Sequence, residues 1–387
     1  MIEQAGLVLT GVSFGLWIYL LAFRGGFWRG DQRLDDSPPD LSKWPGVAAV
    51  IPARNEAQTI GKTVASLLAQ DYPGKLSVIV VDDNSDDGTA IAAGQADRLS
   101  VIEGKPLQEG WSGKLWAVHQ GLGAAKESHP DAVYVLLTDA DIIHDPESLR
   151  RLVAKAEEQG LDLVSLMVRL RCQGFWEKWL IPVFIFFFQK LYPFPWVNDP
   201  AHPVAAAAGG CMLVRRTALD AIGGVEAIAG RLIDDCALAV EIKKRGPIWL
   251  GLTSKVTSER AYENLSEIWR MVSRSAFEQL DHSFFALIGT IIGMAVLYLV
   301  PPLAGLALLG GESEVVALGL VTWWGLMEMA FWPTLRLYGL PLAWGVLLPV
   351  AALLFTLMTV TSAINHWRGR GGAWKGRIYS PASDANR

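Results

Sequence analysis

Cysteine is scarce in this chain. Cys172, Cys211 and Cys236 are the three among 387 residues, and they form no C-x-x-C pair. That spacing argues against a disulfide framework and a structural zinc site. The six histidines show no ligand spacing. No G-x-S-x-G stretch or Ser/His/Asp arrangement occurs, which removes the serine-hydrolase reading. Excess charge is also missing: the formal net charge is -5, so no general polyanion binder and no nucleic-acid partner is expected. What is abundant is apolar. Apolar residues make up 51%, with 16 Trp, and mean hydropathy is +0.28. Those values point to a membrane-bound share.

Residues 1–24 carry the first apolar run, 5–23, long enough to cross a bilayer. The start "MIEQ" has no basic region and no small-x-small site follows, so the run reads as an uncleaved anchor. Glu3 precedes it, while Arg24, Arg29 and Arg33 follow. The positive-inside rule therefore places the following domain in the cytoplasm. Residues 25–46 form a linker with the Pro-rich "DDSPPDLSKWPG". Apolar runs return at 284–309, 315–335 and 342–364, within a C-terminal transmembrane region, 284–366. Three spans would put the basic tail, 367–387, outside, yet Arg368, Arg370, Lys375 and Arg377 argue for inside. The expectation is one broken or re-entrant run, at Pro301–Pro302 or Pro349.

Between these regions, apolar strand-like runs alternate with helical patterns. Strands are expected over 47–53, 76–83 and 162–170, and in "AVYVLLTDADIIHD" (132–145). Helices are expected over 56–70, 88–97, 114–126 and 147–160. Such alternation implies βαβ units and a Rossmann-like, mostly parallel sheet. Ligands of such sheets bind at the carboxyl ends of the strands, where Asp82, Asp83, Asp139 and Asp141 fall. In an extended segment, Asp139 and Asp141 would point to the same side. Their repulsion raises a pKa or calls for a cation. A divalent ion with hard oxygen ligands, Mg²⁺ or Mn²⁺, suits them. The aromatic, Pro-interrupted stretch 175–198 reads as an interfacial segment. Residues 266–283 read as an amphipathic helix at the bilayer surface.

The motifs "VIPARNE" (50–56), "VVDDNSDDGT" (80–89), "GWSGKLWA" (110–117), "LLTDADI" (136–142), "GGCMLVRRTALDAIGG" (209–224) and "IDDCALAVEIKKRG" (233–246) occur in one order. That ordered set resembles family 2 glycosyltransferases, most nearly the hopene-associated glycosyltransferases; the flanking segments also resemble ceramide glucosyltransferases. The resemblance implies an α/β GT-A catalytic domain over 47–265, between an N-terminal membrane anchor and C-terminal transmembrane helices. It further implies inverting transfer from a nucleotide-diphosphate sugar.

By the same resemblance, Asp141 is the likelier direct metal ligand, while Asp139 contacts the ribose or the metal. Asp83 accepts a hydrogen bond from the nucleotide base, and Glu56 matches the acid ending the first strand motif. Glu56 also suits the first turn of a helix. Lys114 can meet a phosphate as a point charge; "SGKL" is no Walker A loop, because Gln108 and Leu115 replace its Gly and Ser/Thr. Asp234 and Asp235 stand where the family carries its general base, by position Asp235, though Asp is also a good helix N-cap. Where relatives have Q-x-x-R-W, this chain has Met271, Arg274 and Ser275. Only the arginine is kept, which weighs against processive polymer synthesis. Arg274, Trp374, Lys375 and Arg377 are candidates for acceptor or phosphate contact. The expected protein is a multi-pass enzyme of the bacterial inner membrane, with its catalytic domain cytoplasmic. Its partners would be the bilayer, a nucleotide-sugar donor, here a UDP-sugar, and a membrane lipid acceptor such as a hopanoid. The competing readings are a polysaccharide synthase with export and an inactive nucleotide-sugar-binding scaffold.

Overall fold

The computed structural model describes residues 2–34, 40–306, 313–370, 373–374 and 377–378. The chain divides into two units. One, built on a sheet, comprises Asp31–Arg171, Trp196–Ala261 and Ala373–Arg387; the other, helical, comprises Met1–Gly30, Cys172–Pro195 and Tyr262–Gly372. The sequence reading ran the sheet domain from 47 to 265. In the structure, residues 172–195 leave it to join the helical unit.

The sheet holds β1 (Gly46–Ala53), β2 (Leu76–Asp82), β3 (Leu99–Glu103), β4 (Ala132–Thr138), β5 (Ile142–His144), β6 (Leu163–Arg169), β7 (Cys211–Arg215) and β8 (Ile248–Ser258). Their spatial order is β3-β2-β1-β4-β7-β6-β8-β5. β3, β2, β1 and β4 run parallel, and β6 runs parallel to β8. β7 is antiparallel to both β4 and β6, and β5 is antiparallel to β8. The result is a mostly parallel, mixed sheet. Its central strands are apolar runs because both faces are covered. Alternate residues of β1 serve opposite faces. Val47, Ala49 and Ile51 share a core with Ile60, Val64 and Leu67 of helix Ile60–Leu68 and with Leu149 and Leu152 of helix Ser148–Gln159. On the other face, Val50 meets helix Gly113–Ser128 at Gly121, where an added Cβ would lie 2.4 Å from Val50 Cγ1 and 2.9 Å from Val81 Cγ2. This topology puts the carboxyl ends of β1, β2, β4 and β8 along one edge, together with the start of β7.

Among the described residues, the helical unit contains four helices long and apolar enough to cross a membrane: Gln4–Phe23, Phe284–Leu306, Ser313–Leu337 and Leu342–Trp367. Trp17, Phe186, Tyr298, Phe331 and Phe355 form its centre. Val8, Ile18, Ile292, Leu303 and Leu357 are exposed, as a lipid-facing surface requires. Pro301–Pro302 do not break the second helix. A wide π-type turn, Ala295–Leu299, precedes them and takes up the misfit. Pro349 sits in the first turn of helix Leu348–Trp367, where its missing N–H costs nothing. The stretch expected at the interface forms helix Phe175–Leu191, whose Leu180, Val183 and Phe186 are buried inside the unit. Helix Leu265–Ser273 likewise buries Ile268 and Val272 in that core. Its apolar stripe faces protein.

The Gly121 contact predicts a sharp asymmetry. Gly121→Val should destabilise the protein by about 2 kcal/mol through overpacking. Gly123→Ala, where nothing lies within 4 Å of the new methyl, should be neutral or better. Thermal unfolding of the two purified variants checks this.

Candidate active site

The first strand ends carry the site. At the end of β2, Asp83 is fully buried. Its N–H donates to Ala53 O (2.8 Å), tying β2 to β1. The Arg54 guanidinium donates to the carbonyls of Asp83 and Asn84 and lies 3.9 Å from Asp83 Oδ2. Glu56 does not sit in a first turn, because the helix begins only at Ile60. Its N–H donates to Thr89 Oγ1 (2.9 Å), and its Oε1 accepts from Arg260 Nη2 (2.6 Å).

Asp139 and Asp141 depart from the extended geometry expected of them. The β4 ladder ends at Thr138, whose hydroxyl donates to Gly210 O (2.8 Å). Residues 139–141 then turn before β5. The two carboxylates consequently find different cations. Asp139 Oδ1 lies 3.0 Å from Lys114 Nζ. Asp141, buried, accepts at Oδ2 from Ser258 Oγ (2.7 Å) and Arg260 Nε (3.2 Å). They still act on one another. Desolvation raises the Asp139 pKa above the ordinary carboxylate value, Lys114 opposes that, and Asp141 adds to it.

Lys114 stands in the first turn of helix Gly113–Ser128, whose N-cap Ser112 accepts from Leu115 N–H (3.3 Å). Lys114 Nζ also lies 3.2 Å from Asp234 Oδ2. Burial alone would lower its pKa, but Asp139, Asp234 and Asp235 outweigh that and hold it charged. A helix N-terminus carrying a charged lysine attracts anions. Asp235 accepts from Gly209 N–H (2.8 Å) and Cys236 N–H (2.7 Å). Desolvation and Asp234 raise its pKa to about 6 against the pull of Lys114. The N-cap position itself is Ile233, which makes no side-chain cap bond. Gly209 permits the close assembly: a Cβ there would lie 3.2 Å from Lys114 Nζ and 3.3 Å from Asp235 Oδ2. Lys114, Asp139, Gly209, Val225, Ile228 and Asp234 line a small cleft. The loop bearing Val225 and Ile228 is pinned where Ser112 N–H donates to Ala229 O (2.8 Å).

His144 is buried, with Nε2 3.0 Å from Thr138 Oγ1, and desolvation lowers its pKa to about 4. Arg274 belongs to the helical unit and is exposed where helix Leu265–Ser273 ends. Residues 373–374 and 377–378 pair as a short antiparallel ribbon, joining Trp374 to Arg377 through the backbone. Lys375 lies outside the described residues. Sequence reasoning missed Arg54, Ser258 and Arg260. Arg54 lies within the quoted "VIPARNE"; Ser258 ends β8, which carried no motif, and Arg260 lies just beyond it.

The oxygens of Asp139 and Asp141 are hard donors. Among the described residues no three acids, histidines or cysteines converge on one point. A divalent cation held by this pair would have to complete its shell with phosphate and water, as Mg²⁺ does.

Residues 48–223 match the profile of glycosyl transferase family 2. Asp234, Asp235, Ser258 and Arg260 lie beyond that stretch. An N-acetylglucosaminyltransferase of Mesorhizobium japonicum is 34% identical over 150 residues, 37% of this chain and 32% of the relative. An undecaprenyl-phosphate 4-deoxy-4-formamido-L-arabinose transferase of Pseudomonas savastanoi is 29% identical over 180 residues, 46% of this chain and 49% of the relative. The match thus spans about a third to a half of these relatives. Among solved structures, the mannosyltransferase PcManGT from Pyrobaculum calidifontis, in complex with GDP-Man and Mn²⁺, superposes with a TM-score of 0.57. It is 20% identical, with 95% of this chain and 99% of that one covered. The likeness shows a GT-A fold.

Lys114→Met should leave Asp139 and Asp234 without this shared cation. The expected loss is about 2 kcal/mol, discounted for partial exposure. The Asp139 pKa, already raised in the folded state, would rise further. The loss should therefore be full at neutral pH and shrink as acid protonates the carboxyl. Denaturant titrations of both proteins from pH 7 downward check the sign.

Proposed function

We propose that this chain, with its glycosyl transferase family 2 domain, is a membrane-bound inverting glycosyltransferase. It moves one sugar from a nucleotide-diphosphate sugar, a UDP-sugar, to the hydroxyl or phosphate of a membrane lipid. The observation that carries the reading is the cleft joining Lys114, Asp139 and Asp234, with Asp235 and Asp141 beside it, at the carboxyl edge of a GT-A sheet.

In this reading Asp83 receives the nucleotide base. Asp139 and Asp141 hold Mg²⁺ or Mn²⁺, which when bound neutralises charge on the departing diphosphate. Lys114, a charged donor on a helix N-terminus, meets a phosphate oxygen. Asp235 takes the acceptor proton. The acceptor oxygen bonds to the anomeric carbon on the face opposite the diphosphate, whose bond to that carbon breaks. The raised pKa of Asp235 favours such a base. Its two backbone hydrogen bonds fix its orientation and leave acceptor capacity on both oxygens.

The four apolar helices support a lipid acceptor, as does a relative named for undecaprenyl phosphate. A hopanoid acceptor rests on sequence resemblance alone. So do placement in a bacterial inner membrane and phosphate contacts by Arg274 and residues 374–377; a cytoplasmic catalytic domain rests on the basic residues that follow the first apolar run. Met271 and Ser275 weigh against a polymer synthase. The assembled acids weigh against an inactive scaffold.

Lipid mass spectrometry of cells with and without the protein should reveal a lipid gaining a single sugar. In membranes, EDTA or Asp141→Ala should remove transfer from the UDP-sugar, by at least about a hundredfold; activity persisting in Asp141→Ala sinks the site assignment. Asp235→Asn should do the same, whereas Asp234→Asn should retain base function. Transfer should fall as pH drops through about 6, where Asp235 takes up its proton.

A further inference from the structure

The mechanism above leaves Arg260 without a task, yet it makes the closest charged contact to the acid assigned to the metal. Asp141 is held from three sides by the end of β8. Ser258 donates its hydroxyl to Oδ2 (2.7 Å), Arg260 donates Nε to the same oxygen (3.2 Å), and Glu259 N–H donates to the Asp141 carbonyl (2.9 Å). The guanidinium continues to Glu56 Oε1 through Nη2 (2.6 Å), so one fork spans two carboxylates from different strand ends. Arg260 is the most exposed of the three: its side chain is 37% exposed, against 9% for Asp141 and 12% for Glu56. Its N–H is tethered to Ser258 Oγ (3.2 Å). The carboxylates are thus fixed, and the cation lies on their solvent side.

We propose that Arg260 is the resident counter-cation of the Asp141–Glu56 pair and competes with the divalent cation for Asp141. It is a positioning residue. It keeps Asp141 aimed and its charge offset while no metal is bound, and it withdraws when one arrives. Two cations cannot share one carboxylate oxygen without repelling each other. Serine and the β8 backbone remain to hold Asp141 after the guanidinium leaves. The inference rests on the reading of Asp141 as a metal ligand, and it makes Arg260 the residue that sets how tightly metal binds.

The test is Mn²⁺ binding to the full-length protein in detergent without nucleotide, read from the paramagnetic resonance signal of free Mn²⁺. Arg260→Gln should bind Mn²⁺ about fivefold more tightly than wild type, the effect of removing one partly exposed competing ion pair. Arg260→Lys, which keeps the charge but loses the fork, should fall between them. Asp141→Asn should lose the binding. A merely structural arginine would leave Mn²⁺ affinity unchanged or weaker in Arg260→Gln, and that result overturns the proposal while the metal site stands. If Arg260→Gln does not fold, Arg260→Lys decides by the same comparison. Binding by the variant but not by wild type supports the competition in its strongest form. No binding by either, with UDP added as well as without it, overturns the metal reading and this inference with it.

Discussion

Acids gathered at one edge of a sheet repel each other, and the sheet unit meets that repulsion with two basic side chains from distant parts of the sequence. Lys114 rises from a helix N-terminus to bridge Asp139 and Asp234. Arg260 reaches back from beyond β8 to join Asp141 and Glu56. Without its cation, each acid pair would carry uncompensated charge or take up a proton. The sheet's strand directions place all six residues along one rim, and the small Gly209 lets the lysine cluster close up. Charge balance, strand polarity and close packing therefore describe one design.

The strands that could be read from sequence were those buried on both faces. β1, β2, β4 and β6 are mostly apolar and mostly buried, and the helices between them follow. β3 is short and only partly buried. β5 has three residues, and β8 mixes buried and exposed positions. Such strands owe their existence to partners, not to their own pattern. The acids were found because they cluster in motifs. Their geometry was not, because the extended path assumed for Asp139 and Asp141 depends on a ladder that stops at Thr138. Arg260 was invisible for a related reason: its partners stand 119 and 204 positions away. No local spacing encodes such a contact.

The helical unit was legible as spans but not as packing. Hydropathy marks where a helix is long enough, yet the prolines at 301 and 302 suggested a break. A wide turn beside them lets the helix continue. Helices Phe175–Leu191 and Leu265–Ser273 show the converse case. Their amphipathic patterns signal an apolar neighbour without saying whether it is lipid or protein; in this unit they bury side chains against protein.

The position of β8 carries a consequence for how the protein is made. It is the last sheet strand to be synthesised, yet it lies between β6 and β5. Its Ser258 and Asp141 are 117 positions apart. Chains emerge from the ribosome amino end first, and contacts this distant form late. A nascent chain halted before residue 258 would hold its early strands and most of its acids, but not the hydroxyl and guanidinium that fix Asp141. The rim that holds Asp141 is therefore complete only when the last strand of the eight-stranded sheet is in place.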